Sequence, residues 1–119
     1  MCCMDTMPNI ELPEGLAWVR DKQGLALAHG SMTLRGDFAR MFPRLRTDRL
    51  AHALLVRAAR VRGIEHPTAV DATAGLGEDS LLLAAAGFSV TLIERDPAIA
   101  ALLSDALERA AADPHRSEY

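Results

Sequence analysis

The segment with the clearest capacity for chemistry is 70–77, where a strand-like run passes into a loop with two glycines. Glycine adopts backbone angles that a Cβ forbids, so such a loop can bring its main chain close to a ligand. A helix predicted to begin near Glu78 would direct its free N–H groups and the positive end of its dipole at that ligand. Glu94 ends the next strand-like run, where a carboxylate can accept hydrogen bonds from both hydroxyls of a ribose. These residues predict a site for a ligand that contains a nucleoside.

Two nucleoside cofactors compete for this site, and charge separates them. NAD is typical of the spacing Gly-x-Gly-x-x-Gly, whereas this loop has Gly75-x-Gly77-x-x-Ser80. Glu78 and Asp79 would place two carboxylates beside the pyrophosphate of NAD and repel it. S-adenosyl-L-methionine carries a sulfonium and an ammonium group, so it suits an acidic loop better. The candidate cofactor-binding residues at this point are Asp71, Ala74, Gly75, Gly77, Glu78, Asp79 and Glu94. The alternative without a ligand is a glycine turn that only packs a helix against a strand.

The elements around the loop have the order of a partial nucleotide-binding domain. β-branched and apolar runs predict two strands, and Asp96-Pro97 supplies an N-cap followed by a proline at the first helical position. The predicted elements are a strand over Thr68–Ala72, a helix from Glu78 or Asp79 to Ala86, a strand over Phe88–Glu94 and a helix from Asp96 to about Ala112. This order is typical of a right-handed crossover between parallel strands. Residues 64–119 are therefore predicted to form a partial Rossmann-like βαβα unit.

The preceding residues have a different pattern. Residues 1–15 show no periodicity and are interpreted as a loose N-terminal lead-in, and residues 16–63 as a hairpin region followed by a basic helix. The predicted elements are strands Leu16–Arg20, Leu25–His29 and Met32–Arg35, then a helix from Thr47 or Asp48 to Arg62 that buries Leu50, Leu54, Ala58 and Val61. The predicted fold class is α/β: an N-terminal antiparallel three-stranded region, then a helix and the partial βαβα unit.

Positive charge is concentrated in one segment of the chain. Residues 35–62 hold eight arginines and two aspartates, a net charge of +6, which leaves −9 for the rest of a chain whose total is −3. Such asymmetry indicates a localised surface for an anion, and the planar guanidinium suits phosphate. The candidate RNA-binding residues are Arg40, Arg44, Arg46 and Arg49. The alternative is a solvated helix face with local pairing to Asp48.

Three segments resemble one known family. Asp71–Ser80 resembles the D-A-T-A-G-L-G-x-D motif of the RsmJ-type methyltransferases, Ile93–Leu103 resembles their L-E-R-N-P segment, and Gly36–Arg46 resembles their basic segment. The resemblance implies a class I fold, S-adenosyl-L-methionine as methyl donor, and a guanine exocyclic amine of small-subunit ribosomal RNA (rRNA) as acceptor. It also implies that Glu78, Asp79, Glu94 and Arg95 contact the cofactor. Glu78 departs from the family, in which many members carry arginine there.

The sequence lacks part of what this family needs. The predicted parallel sheet has only two strands, and no Asp-Pro-Pro-aromatic type of loop is present to hold an acceptor base, so no catalytic residue is assigned. We expect an N-terminal part of the enzyme that is inactive alone and that forms homo-oligomers through exposed sheet edges. Two alternatives stay open: a non-catalytic binding or assembly fragment, and half of an NAD-type dinucleotide-binding domain.

Composition excludes several other classes of protein. The chain is 50% hydrophobic and 24% charged, which is typical of a globular protein. No apolar run reaches the length of a membrane span, the four histidines lack metal-ligand spacing, and the adjacent Cys2 and Cys3 cannot cross-link a fold. We therefore expect no metal, no membrane association and a cytoplasmic location.

Overall fold

The first part of the structure is a three-stranded antiparallel sheet. A computed structural model describes residues 7–113, so Cys2 and Cys3 lie outside the described residues. The strands are β1 (Ala17–Asp21), β2 (Gly24–His29) and β3 (Met32–Leu34), hydrogen-bonded in the order β1-β2-β3. At the hairpin, Asp21 pairs with Gly24 and its carboxylate accepts a hydrogen bond of 2.8 Å from the N–H of Gln23. The three predicted strands are confirmed to within one residue at each end.

The single helix predicted from Thr47 or Asp48 to Arg62 is wrong. The chain instead forms a 3₁₀ helix (Ala39–Leu45), α1 (Thr47–Leu50) and α2 (Leu54–Ala59). Ala53, at φ −67° and ψ 124°, is extended and separates the two α-helices. Arg46 precedes α1 as its N-cap and gives no side-chain cap bond, so neither predicted N-cap residue has that role.

The interruption changes which side chains are buried. In one continuous helix, Leu50 and Val56 would lie about 120° apart around the axis, too far to share one narrow buried face. The structure buries both, with Val56 completely inaccessible, while Leu54 is 79% exposed. The predicted stripe of Leu50, Leu54, Ala58 and Val61 is therefore wrong except for Leu50, because Ala58 and Val61 are also exposed. Breaking the helix at Ala53 is what allows both Leu50 and Val56 to enter the core.

The second part of the structure is the predicted βαβα unit. Its elements are β4 (Thr68–Asp71), α3 (Glu78–Ala85), β5 (Ser89–Leu92) and α4 (Pro97–Ala112). The two strands are parallel, with Asp71 opposite Leu92, and within residues 7–113 they pair only with each other. Asp96 caps α4 as predicted, since its carboxylate accepts hydrogen bonds from the N–H groups of Ala98 and Ile99 at 2.9 and 3.2 Å.

Helix α4 packs against both the N-terminal sheet and the main core. One face carries Leu103 and Ala106 into the main core, where they meet the side chains of the 3₁₀ helix, α1, α2 and α3. Leu102, completely buried, packs instead with Leu25 and Leu27 of β2. Helix α4 therefore contributes both to the main core and to the core beneath the N-terminal sheet. None of the helices over residues 7–113 is long and apolar enough to cross a membrane.

A buried carboxylate also joins the N-terminal sheet to α4. Asp105 is 6% exposed and accepts hydrogen bonds from the N–H of Leu25 at 3.0 Å, from Arg20 at 3.1 Å and from Arg109 at 2.8 Å. Burial alone would raise the pKa of Asp105, but the Leu25 N–H and the two arginines outweigh it, so the pKa lies below its usual value. Gly24 is required here, since a Cβ at this position would lie 2.7 Å from Asp105 Oδ2.

Candidate functional site

The loop between β4 and α3 is held by main-chain hydrogen bonds to the end of β5. The N–H of Ile93 donates to the Asp71 carbonyl at 2.8 Å, and the N–H of Ala74 donates to the Ile93 carbonyl at 3.0 Å. Within the loop, the N–H of Gly77 donates to the Ala74 carbonyl at 2.8 Å. Residues that follow two neighbouring parallel strands are thus brought together at one edge, as expected for an open α/β sheet.

The two loop glycines have different physical roles. Both have left-handed backbone angles, with φ of +56° at Gly75 and +80° at Gly77. A Cβ at Gly77 would lie 2.8 Å from Leu103 Cδ1 and 3.0 Å from Phe38 Cζ, so this position is closed by the core. A Cβ at Gly75 would meet no atom within 4 Å. Gly77 is therefore needed for packing, and Gly75 is the position that leaves room for a ligand beside the main chain.

Glu94 ties the loop to the start of α4. Its Oε1 accepts a hydrogen bond of 2.8 Å from the N–H of Gly75, and its Oε2 accepts one of 2.9 Å from the N–H of Asp96. Each carboxylate oxygen has two lone pairs, so one on each remains available for a donor such as a hydroxyl. Because the side chain is only half-buried, Glu94 can accept a hydrogen bond from a ligand while it positions the loop.

Asp71 turns towards α3. Its Oδ2 accepts a hydrogen bond of 2.6 Å from the hydroxyl of Ser80, which is 2% exposed, and its Oδ1 accepts one of 3.3 Å from the N–H of Thr73. Sequence reasoning treated Ser80 only as the third small residue of the glycine motif and missed this bond. The pairing of a strand-end aspartate with a serine inside the next helix has no local sequence signal, because only the folded turn brings them together.

The two acids after Gly77 occupy the first turn of α3. Gly77 is the N-cap and supplies no side-chain hydrogen bond, so the helix dipole itself favours Glu78 and Asp79 there. Glu78 forms an ion pair with Arg40, and the hydrogen bond to its carboxylate raises the pKa of the Arg40 guanidinium above its ordinary value. Sequence reasoning assigned these two residues to different ligands and did not predict their contact.

The remaining candidates for cofactor binding are less directly placed. Ala74 is buried in the main core; its N–H donates to the Ile93 carbonyl and its carbonyl accepts from the N–H of Gly77. Arg95 and Asp79 are exposed at the edge of the site. Among residues 7–113, no group of three or more His, Cys, Asp or Glu side chains could hold a metal ion.

The four candidate RNA-binding arginines are exposed but do not form one uniform row. Arg44 and Arg49 line a single open surface together with Asp48 and His52. Arg46 lies 3.7 Å from Asp48, a weak pair between two exposed side chains. Arg40 stands apart from them through its contact with the acid on α3. The arginine surface, defined as Arg40, Arg44, Arg46 and Arg49, therefore reaches the glycine loop at Arg40.

Comparison with known proteins identifies a family to which the chain is similar. A protein-family model described as "Putative SAM-dependent methyltransferase" matches residues 14–119. The chain is 42% identical over 104 residues to ribosomal RNA small subunit methyltransferase J of Acinetobacter baylyi, covering 87% of this chain and 38% of that protein. It is 42% identical to the protein of the same name from Laribacter hongkongensis, covering 99% of this chain and 42% of that protein.

A solved structure gives the same result for the fold. The crystal structure of a SAM-dependent methyltransferase from Neisseria gonorrhoeae superposes with a TM-score of 0.66 at 33% sequence identity. The superposition covers 89% of this chain and 44% of that chain. The chain thus spans about two fifths of the length of the curated relatives, 38% and 42% in the two cases above.

Proposed function

This chain belongs to the SAM-dependent methyltransferase family, and we propose that it binds S-adenosyl-L-methionine for methyl transfer to small-subunit rRNA. The resemblance to RsmJ-type enzymes is confirmed by the relatives that carry that name. Because the chain matches only part of those relatives, the activity, substrate and partners of the whole protein are part of this proposal. A ribosomal substrate also favours a cytoplasmic location.

The observation that carries the proposal is the position of Glu94. Its carboxylate follows β5 and accepts a hydrogen bond of 2.8 Å from the N–H of Gly75, so it lies against the main chain of the glycine loop. A carboxylate with spare lone pairs next to an open glycine main chain is an arrangement that suits a ribose with two vicinal hydroxyls. Gly75 has φ of +56°, which a turn without a ligand would also require, so the carboxylate of Glu94 is the feature that supports a ligand.

Charge favours S-adenosyl-L-methionine over NAD at this loop. Asp71, Glu78, Asp79 and Glu94 surround it, and of these Glu78 is paired with Arg40. A cationic sulfonium and an ammonium group are attracted by such a set, whereas a pyrophosphate at the start of α3 would meet Glu78 and Asp79. The family match supports the same choice.

The chain's own part in the reaction is to bind and orient. Bound S-adenosyl-L-methionine supplies an electrophilic methyl group on a sulfonium, which an amine can attack in line. Glu94 would hold the ribose, and the main chain at Gly75 and the start of α3 would fix the remainder of the donor. Residues that hold the acceptor base are not assigned within this chain, so we expect the 119 residues alone to bind the donor without methylating rRNA.

The arginine surface supports RNA as the acceptor. Arg40, Arg44, Arg46 and Arg49 are exposed on the segment that adjoins the loop, and guanidinium groups bind phosphates without reading sequence. The relatives from Acinetobacter baylyi and Laribacter hongkongensis are named as ribosomal RNA small subunit methyltransferases. We therefore propose that this surface positions an rRNA backbone and that a guanine exocyclic amine accepts the methyl group.

Calorimetric titration of the chain with S-adenosylhomocysteine and with NAD tests the proposal. We expect S-adenosylhomocysteine to bind and NAD not to bind. Glu94→Gln should weaken S-adenosylhomocysteine binding by about tenfold or more, since a hydrogen bond to a charged group contributes about 1.5–3 kcal/mol. Glu65→Gln removes an exposed acid outside the site and is the matched control. Binding of NAD alone would favour the dinucleotide alternative, and binding of neither ligand would favour the non-catalytic assembly fragment.

We also propose that the 119-residue chain self-associates. β4 and β5 pair only with each other among the described residues, and Val70 and Ile93 near their ends are 66% and 51% exposed. Unpaired strand edges with apolar neighbours promote pairing with a second chain. Sedimentation velocity should show a dimer or larger species, and a chain that stays monomeric at high concentration would contradict this.

A further inference from the structure

We propose that Arg40 couples RNA binding to donor binding, because Arg40 is one of the arginines of the arginine surface and its guanidinium pairs with Glu78 beside the glycine loop. The inference rests on the proposed function, since it takes the loop as the donor site and the arginines as contacts for RNA phosphates. The inference is that an RNA phosphate and the Glu78 carboxylate compete for Arg40, so a phosphate that binds the Arg40 guanidinium displaces Glu78 from it.

Arg40 is carried on a backbone that is fixed against the loop. Its neighbours on the 3₁₀ helix, Met41 and Phe42, are buried in the main core. Phe38, at the start of this segment, lies so close to Gly77 that a Cβ there would be 3.0 Å from its ring. The contact between Arg40 and Glu78 therefore joins two segments that are far apart in sequence and whose backbones are anchored by the core.

The ion pair itself is exposed and easily exchanged. The Arg40 side chain is 66% exposed and that of Glu78 is 40% exposed. Double-mutant cycles on exposed pairs give interactions equivalent to at most about a fivefold preference. A phosphate can accept two parallel hydrogen bonds from one guanidinium, which is a stronger arrangement. An RNA backbone on the arginine surface can therefore displace Glu78.

The rest of the arginine surface lies where it would deliver such a phosphate. Arg44 follows Arg40 on the same 3₁₀ helix, and Arg44 and Arg49 line one open surface against Leu82 of α3. Glu78 begins that same helix. A backbone bound along Arg44 and Arg49 thus lies beside α3, with Arg40 as the next cation towards the donor loop.

The direction of the coupling follows from charge. While Arg40 is paired with Glu78, it offsets one of the negative charges at the loop. When a phosphate takes Arg40, Glu78 is left uncompensated and the loop attracts a cationic ligand more strongly. RNA should therefore strengthen binding of S-adenosyl-L-methionine, and by thermodynamic reciprocity the donor should strengthen binding of RNA. S-adenosylhomocysteine lacks the sulfonium charge and should respond less.

The experiment measures donor affinity of the 119-residue chain with and without a short hairpin RNA at low salt. We expect RNA to tighten S-adenosyl-L-methionine binding by about threefold to fivefold, a limit set by the exposed pair. We expect a smaller change for S-adenosylhomocysteine. Donor binding without RNA tests the proposed function independently. If the donor binds and RNA leaves its affinity unchanged, the coupling is overturned while the donor site stands.

Three variants separate coupling from ordinary phosphate contact. Arg40→Ala should bind S-adenosyl-L-methionine more tightly than the wild type and should lose the RNA effect. Glu78→Gln should raise RNA affinity by about twofold to fivefold, because Arg40 no longer has a competing partner. Arg57→Ala removes an exposed arginine of α2 outside this surface and should keep the wild-type coupling. If Arg40→Ala retains the RNA effect, or Glu78→Gln leaves RNA affinity unchanged, Arg40 does not couple the two sites.

Discussion

The glycine loop (residues 72–77) and the arginine-bearing segment (residues 38–60) meet at the Arg40–Glu78 pair, yet they are held in place by different interactions. Main-chain hydrogen bonds fix the loop. The N–H of Ile93 donates to the Asp71 carbonyl at 2.8 Å, and the N–H of Ala74 donates to the Ile93 carbonyl at 3.0 Å. In residues 38–60 the main-chain bonds run to residues three or four positions away, as from Arg57 to Ala53. That segment is placed by its buried side chains instead.

This difference determines what each region tolerates. A loop fixed by its main chain depends on backbone angles, so its sensitive positions are those with positive φ and close neighbours. A segment fixed by side chains depends on which apolar residues enter the core, so its sensitive positions are the buried ones. The arginines are on exposed positions of the second region, where substitution leaves the core intact.

The largest expected effect is at Gly77. Gly77→Ala should destabilise the protein by about 3 kcal/mol, because φ of +80° is unfavourable for an L-residue and the new Cβ would meet Leu103. Gly75→Ala, at φ +56° with open space around it, should cost about 1 kcal/mol. Urea denaturation of both variants measures the difference. Equal losses would show that the two glycines have the same role and would contradict the distinction between packing and ligand access.

The next largest effect is expected at Asp105, whose hydrogen bonds join the N-terminal sheet to α4. Asp105→Asn should destabilise the protein by about 2–3 kcal/mol near neutral pH, because the partly buried Arg20 and Arg109 lose their buried counter-charge. The folded-state pKa of Asp105 lies below its unfolded value of about 3.9, so its contribution is present above that pH and is lost as the pH falls through the lower folded pKa.

Urea midpoints at about pH 7 and about pH 3 measure this contribution. The difference in urea midpoint between the wild type and Asp105→Asn should be smaller at the lower pH. Asp113→Asn is the comparison variant, because Asp113 is a carboxylate at the end of α4 that is less buried than Asp105. A gap that stays constant with pH would show that Asp105 acts through its shape and not through its charge.

Local sequence signals predicted most of the βαβα unit. Asp96 and Pro97 define the start of α4, and Gly87 follows the end of α3, because caps and glycines act on their own neighbours in sequence. The contacts that complete the site could not be predicted in this way. Glu78 meets Arg40, and Asp71 meets Ser80, only after the chain has folded.

The break in the predicted basic helix could not be predicted from local sequence either, because it too depends on contacts that form only in the folded chain. Residues 51–53 read Ala-His-Ala, with no proline or glycine to indicate a stop. Helical periodicity therefore predicted a continuous element, whereas tertiary packing favoured the burial of both Leu50 and Val56. Propensity is a weak guide where a short segment is fixed by contacts with distant residues.

The phase of α2 gives the smallest but most direct test of this comparison. Val56→Ala should destabilise the protein by about 2 kcal/mol, because the removed methyl groups leave a cavity in the core. Leu54→Ala should change stability by less than about 0.5 kcal/mol, since Leu54 is 79% exposed. Urea denaturation compares the two variants, which differ by two positions on one short helix. The opposite ranking would indicate a continuous helix that buries Leu54. The arginine side chains would then have different relative positions from those described above.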